Sequence, residues 1–171
     1  MADTKRIALV TGGNKGIGFE IARQLAEAGV TVLIGARNPE RGKKAAADLS
    51  SAGLPVENIE IDLNDEVTIA AAAEQIAATH GRLDILINNA GIVDANDGPP
   101  ITASTTSVRR IMETNFIGTL AVTQAMLPLL RKSEAGRIVN LATTLGSLTI
   151  NGDPSSPYYS SRLIGYNASK A

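Results

Sequence analysis

Thr11-Gly12-Gly13-Asn14-Lys15-Gly16-Ile17-Gly18 is the stretch whose reading decides the fold. It follows a short apolar run, Ile7-Ala8-Leu9-Val10, and opens a segment with Ile17, Ile21 and Leu25 at helical spacing. The order predicted is strand, glycine turn, helix. A helix start offers free N–H groups and a partial positive charge, so it binds phosphate. Glycine lets the backbone turn sharply and approach a pyrophosphate with no Cβ in the way. In that context the pattern predicts a dinucleotide site.

Working outward, apolar runs alternate with helical patterns. Strands are expected near 6–10, 30–35, 56–61, 83–88 and 137–142, and helices near 17–28, 39–52, 66–79 and 107–131. Val30-Thr31-Val32-Leu33-Ile34 and Asp84-Ile85-Leu86-Ile87 are apolar on both faces, as buried parallel strands are. Gly29 and Gly81 stand where helix stops belong, and Pro39 suits a first helical turn. His80, before Gly81, reads as a cation at a helix end rather than a catalytic group. Strand–helix alternation predicts a parallel sheet with right-handed crossovers. The glycine loop at the first strand makes it α/β, doubly wound and Rossmann-type. With no repeat and no dividing linker, residues 1–171 read as a single dinucleotide-binding domain.

Composition narrows the function classes. The net charge is -1, with no basic stripe of the kind that tracks nucleic-acid phosphates. The chain has no cysteine and one histidine, which argues against disulfides, thiolate chemistry and a zinc site. Met-Ala-Asp-Thr-Lys-Arg runs straight into the first strand, so no signal peptide or membrane partner is expected and a cytoplasmic location is the default.

Three motifs occur in order: Gly-x3-Gly-x-Gly at 12–18, Asn88-Asn89-Ala90-Gly91 after the fourth strand, and Tyr166-Asn167-Ala168-Ser169-Lys170. Together they resemble the short-chain dehydrogenase/reductase family, carbonyl-reductase-like, from about Lys5 to Ala171. The resemblance implies hydride transfer between a nicotinamide and a small-molecule carbonyl/alcohol pair. It also implies a dimer or tetramer as the family's habit. NAD-preferring members carry an acidic residue at the end of the second strand. Here that place holds Ala36 and Arg37, and Lys15 lies in the glycine loop. Two cations without a carboxylate favour a 2′-phosphate, so NADP(H) is expected over NAD(H); the plainer reading is two solvated surface cations. Asp62 matches the family's adenine contact, with a helix cap as an equal alternative. Gly12, Asn14, Lys15, Gly16, Ile17, Gly18, Arg37, Asp62, Asn89 and Gly91 are the expected cofactor residues.

Tyr166 and Lys170 are four apart, which places them one turn from each other on a helix face. A phenol is a poor acid at neutral pH, and a nearby ammonium with an oxidised nicotinamide stabilises its phenolate. Tyr166 is then expected to exchange a proton with the substrate oxygen, with Lys170 tuning it and holding the ribose. Asn115 matches the family's helix asparagine, a water-holding relay; its plainer reading is a polar side chain that kinks a helix or bonds to backbone.

Two features depart from the family pattern. Ala142-Thr143 replaces the usual serine pair, leaving Thr143 as the expected oxygen-binding hydroxyl, with Thr144 and Ser147 as weaker candidates. Secondly, the sequence stops at Ala171. The resemblance implies further strands and substrate-covering helices beyond it. A chain ending there is expected to keep the cofactor half, to lack a proper substrate pocket, and to expose Ile138, Val139 and Leu141 on an open edge. The alternative to an enzyme is therefore a non-catalytic NADP(H)-binding module or inactive fragment. A sugar-nucleotide epimerase is disfavoured by the glycine spacing. Loops 93–106 and 147–165 are the expected substrate walls.

Overall fold

The structure, a computed structural model, describes residues 5–171. The reading of Met1–Thr4 as a lead into the first strand lies outside the described residues. Five parallel strands, β1 (Ile7–Thr11), β2 (Thr31–Ala36), β3 (Val56–Glu60), β4 (Ile85–Asn88) and β5 (Arg137–Asn140), form one sheet in the order β3-β2-β1-β4-β5. The chain reverses direction across the sheet at β1, between β2 and β4. This is the doubly wound fold expected from the strand–helix alternation, and its switch point lies at the end of β1, where such sheets take their ligands. The helices are α1 (Gly16–Glu27), α2 (Pro39–Ser50), α3 (Glu66–His80), α4 (Thr105–Met112), α5 (Thr119–Leu130), α6 (Leu148–Gly152) and α7 (Ile164–Ser169).

The chain divides into two compact units. The first holds residues up to Ala90 with Ala121–Asn140; the second holds Gly91–Leu120 with Leu141–Ala171. In the first, Leu9, Leu33, Ile61, Ile76, Leu83, Leu86, Val122 and Met126 form a hydrophobic core. Burying side chains of this size stabilises by about 1.5–3 kcal/mol each. Asp84 ties the lower strand ends together. Its carboxylate accepts from Ile7 N at 2.8 Å, from Arg82 Nε at 3.0 Å and from Ser133 Oγ at 2.5 Å. Burial pushes its pKa up, but the bonds from Ser133, Ile7 and Arg82 outweigh it and hold it below the ordinary value.

Helix ends follow the expected chemistry. Pro39 opens α2 after an Asn38 cap that accepts from Arg41 N. Gly81 closes α3 at φ 74°, its N–H reaching Ala77 O and Ile76 O. His80 ends α3, 3.8 Å from Glu57.

Several expectations shift. In α1 the buried positions are Gly18, Ala22 and Ala26, while Ile17 is 69% exposed. Small residues let the helix backbone lie close to the sheet, so they take the inner face. The helix expected over 107–131 is interrupted by a π-helical stretch, Glu113–Gly118. Part of the 147–165 loop is helical, as α6. The β5 residues, Ile138 and Val139 included, are all exposed at one edge of the strand order, and Leu141 lies past the strand. Among the described residues, no helix is long and apolar enough to cross a membrane.

Candidate active site

In the first unit the glycine turn is braced by Thr11 and Asn89. Thr11 Oγ1 donates to Ile87 O at 3.3 Å and accepts from Asn89 N at 3.1 Å and Ala90 N at 3.0 Å. Asn89 Nδ2 donates to Thr11 O at 2.8 Å and Gly12 O at 3.2 Å. Asn89 therefore shapes the turn through its side chain. Gly12 has φ +64°, and a Cβ there would lie 3.0 Å from Ala90 Cα. A Cβ on Gly18 would press into Asn89 Nδ2 and lie 2.7 Å from Gly12 O.

Lys15 is the N-cap of α1 and gives no side-chain capping bond. Asn38, Asp65 and Ser104 do cap α2, α3 and α4. The first-turn amides of α1 are thus left for another acceptor, as an anion-binding helix start requires. Ile17 and Gly16 are exposed there. Beside this turn is a recess of about 400 Å³ lined by Asn14, Lys15, Gly16, Phe19, Arg41 and Lys44, among others. Arg37 is exposed just past β2 and is not part of that lining. Arg41 and Lys44 were missed in the sequence. Their signal was the spacing 41, 44, 45, 48, one face of α2, which also lines the recess.

Asp62 does not cap the following helix; Asp65 does, accepting from Val67 N at 2.9 Å. Asp62 instead accepts from Asn64 N at 3.0 Å, closing a turn. Its side chain remains half-buried after β3.

In the second unit Asn115 is buried in the π-helical stretch. Its Oδ1 accepts from Ile92 N at 2.7 Å, and its Nδ2 donates to Ile92 O and Ser169 Oγ, both at 2.9 Å. Tyr166 lies within α7, while Lys170 is the residue that caps its C-terminal end. The Lys170 N–H bonds to Asn167 O at 3.2 Å, the tighter closure common at helix ends. Lys170 Nζ donates to Leu141 O at 3.2 Å, and burial holds its pKa below the ordinary lysine value. A Cβ placed on Gly91 would lie 3.4 Å from both Asn115 Oδ1 and Lys170 Nζ. Three residues from separate motifs thus meet at one point.

Thr143 caps a 3-10 turn, Thr144–Gly146, its Oγ1 accepting from Leu145 N at 3.3 Å. That leaves the hydroxyl proton for another acceptor. Thr144 is exposed, and Ser147 Oγ is used in capping α6. An apolar cavity of about 330 Å³ is lined by Leu145, Leu148, Tyr159, Leu163 and Ile164 among others, with Asn167 and Ala168 but not Tyr166. Among the described residues no cluster of His, Asp or Glu could hold a metal ion.

The short chain dehydrogenase family profile matches residues 6–171. Short-chain dehydrogenase anuI of Penicillium roqueforti is 42% identical, the match covering 92% of this chain and 63% of that protein. Carbonyl reductase [NADPH] 1 of Sus scrofa is 39% identical, over 88% of this chain and 51% of its own length. The chain thus spans less than two thirds of either relative. A gluconate 5-dehydrogenase from Burkholderia cenocepacia, solved with NADP and tartrate, superposes with TM-score 0.82 at 30% identity, covering 96% of this chain and 60% of that one. RhlG of Pseudomonas aeruginosa, solved with NADP, gives 0.82 at 33%, over 96% and 61%. The chain belongs to the short chain dehydrogenase family, whose members are oxidoreductases.

Proposed function

We propose that this protein is an NADP(H)-dependent oxidoreductase that interconverts a small carbonyl compound and its alcohol. The observation that carries the reading is the meeting of Asn115 and Lys170 at Gly91, in the same compact unit as Tyr166. The residues fit the cofactor: the close approach at Gly12 and Gly18, the uncapped start of α1, and the Lys15–Arg41–Lys44 recess all suit a phosphate-bearing dinucleotide. Gly12, Asn14, Gly16, Ile17 and Gly18 would hold the pyrophosphate. Lys15 with Arg41 and Lys44, flanked by Arg37, would hold the 2′-phosphate. Asp62 would face the adenine, and Asn89 and Gly91 would lie on the cofactor side.

When bound, the nicotinamide supplies or accepts the hydride. In this reading Tyr166 Oη gives a proton to the carbonyl oxygen on reduction and takes it back on oxidation. Lys170 binds the nicotinamide ribose. Thr143 donates a hydrogen bond from its hydroxyl to the substrate oxygen, and Asn115 fixes the Ile92 backbone and the end of α7 while relaying protons through water. The name of the Sus scrofa relative, a carbonyl reductase using NADPH, and the NADP complexes among the solved structures support the cofactor and the reaction type.

The test is a panel of aldehydes and ketones with NADPH and with NADH. NADPH-dependent turnover supports the reading. NADPH binding with no turnover on any member of the panel replaces it with a cofactor-binding module.

A further inference from the structure

The helix that carries Tyr166 is capped by a residue far away in sequence. Leu163 stands at its N-cap and supplies no side-chain hydrogen bond. Asp97 does so instead: Oδ1 accepts from Gly165 N at 2.9 Å and Oδ2 from Tyr166 N at 2.8 Å. The adjacent Gly98 O accepts from Ile164 N at 3.0 Å. Asp97 and Gly98 thus take up three first-turn amides that α7 cannot satisfy internally.

The carboxylate is itself held in place. Asp97 Oδ1 also accepts from Gly98 N at 3.0 Å, and Asp97 N donates to Asp94 O at 3.0 Å. Ser104 N donates to Asn96 O at 3.0 Å, closing the loop behind it. On the helix side Gly165 is buried. A Cβ there would lie 3.1 Å from Ile111 Cδ1, 3.2 Å from Val108 Cα and 3.3 Å from Asp97 Oδ1. A glycine at this position is what lets α7 approach α4 and the carboxylate together.

We propose that Asp97 is a positioning residue for Tyr166, fixing the start of α7 and hence the direction of the phenol. The inference rests on the reading of Tyr166 as the acid/base group. Asp97 acts through the backbone of Gly165 and Tyr166 and needs no contact with substrate. The start of α7 has no local side-chain cap, so its first turn is held by contacts from outside the helix. Catalytic geometry is steep, with a displacement of roughly 1 Å costing on the order of 10²-fold in rate.

The experiment compares wild type, Asp97→Ala and Asp97→Asn by amide hydrogen exchange and by NADPH-dependent turnover, with the NADPH Kd as a check on the first unit. The expected result for Asp97→Ala is exchange at Gly165 and Tyr166 faster by about tenfold, the loss of one cap. Its kcat falls by roughly 10- to 100-fold while the NADPH Kd holds. Asp97→Asn, which keeps one acceptor oxygen, recovers part of both losses. Equal exchange at the two amides in all three proteins overturns the anchor. Faster exchange with unchanged kcat overturns its role in positioning. An inactive wild type whose two amides are protected, and lose protection in Asp97→Ala, supports the anchor and removes the reductase reading instead.

Discussion

Asn89 Nδ2, held at 2.8 Å from Thr11 O, occupies the space into which a side chain on Gly18 would point. The glycine turn, the end of β1 and Asn89-Ala90 are therefore one packed object. Gly18→Ala puts a methyl against that amide and against Gly12 O, and overpacking of this kind costs about 1–3 kcal/mol. The expected outcome is a lower Tm together with weaker NADPH binding, read by thermal unfolding and by fluorescence titration. Gly16 has φ +58°, so Gly16→Ala strains the backbone although its Cβ would meet nothing within 4 Å, and it too is expected to lower the Tm and weaken NADPH binding.

Asn115 gives a different signature. Its amide satisfies both backbone groups of Ile92 and the Ser169 hydroxyl. Asn115→Ala takes this partner from Ile92 N and O, while Ser169 Oγ keeps its bond to Tyr166 O, at a cost of about 1–3 kcal/mol. Denaturant titration should show the loss. Asn115→Asp keeps the acceptor for Ile92 N but cannot donate to Ile92 O, so it too is expected to destabilise.

The phosphate recess tests the cofactor preference. Arg41→Ala and Lys44→Ala are each expected to weaken NADPH roughly tenfold, the scale of one charge-assisted bond. NADH binding should hardly change. Raising the salt concentration should narrow the difference, because exposed charges are screened. Arg37→Ala is expected to have the smaller effect of the three, because Arg37 lies outside the recess lining.

Lys170 makes stability depend on pH. Its folded pKa is lowered by burial, so between that value and the ordinary lysine value the unfolded chain holds more protons. Stability therefore rises with pH across that window, and below it the cost of burying the ammonium is present in full. Lys170→Met removes this contribution. Unfolding midpoints across the alkaline range should rise less steeply in the variant than in wild type.

What was legible in the sequence was what local chemistry dictates. Apolar runs such as Val32-Leu33-Ile34 mark a buried strand, and Gly81 marks a left-handed helix end, without reference to anything distant. The apolar spacing of Ile17, Ile21 and Leu25 marks α1 as a helix but not its inner face, because close packing against the sheet selects Gly18, Ala22 and Ala26. Asp62 and Asp65 are both capping residues by type, and only the path of the chain after β3 puts Asp65 at the helix start. The π-helical stretch has the apolar spacing of an ordinary helix, so nothing in the pattern announces it. Asp97 lies in the 93–106 loop, and its pattern says nothing of its role, since its partners Gly165 and Tyr166 lie 68 and 69 positions away. Arg41 lies on α2, past the end of β2, and only the fold brings it beside the glycine turn.

The most direct test of the central reading follows deuterium from NADPH labelled at nicotinamide C4, using a ketone that the protein turns over. Wild type should place the label on the carbinol carbon, and Tyr166→Phe should slow that transfer by roughly 10²- to 10⁴-fold while binding NADPH equally well. Transfer at the wild-type rate in Tyr166→Phe, or NADPH bound with no label transferred by wild type, would contradict the account.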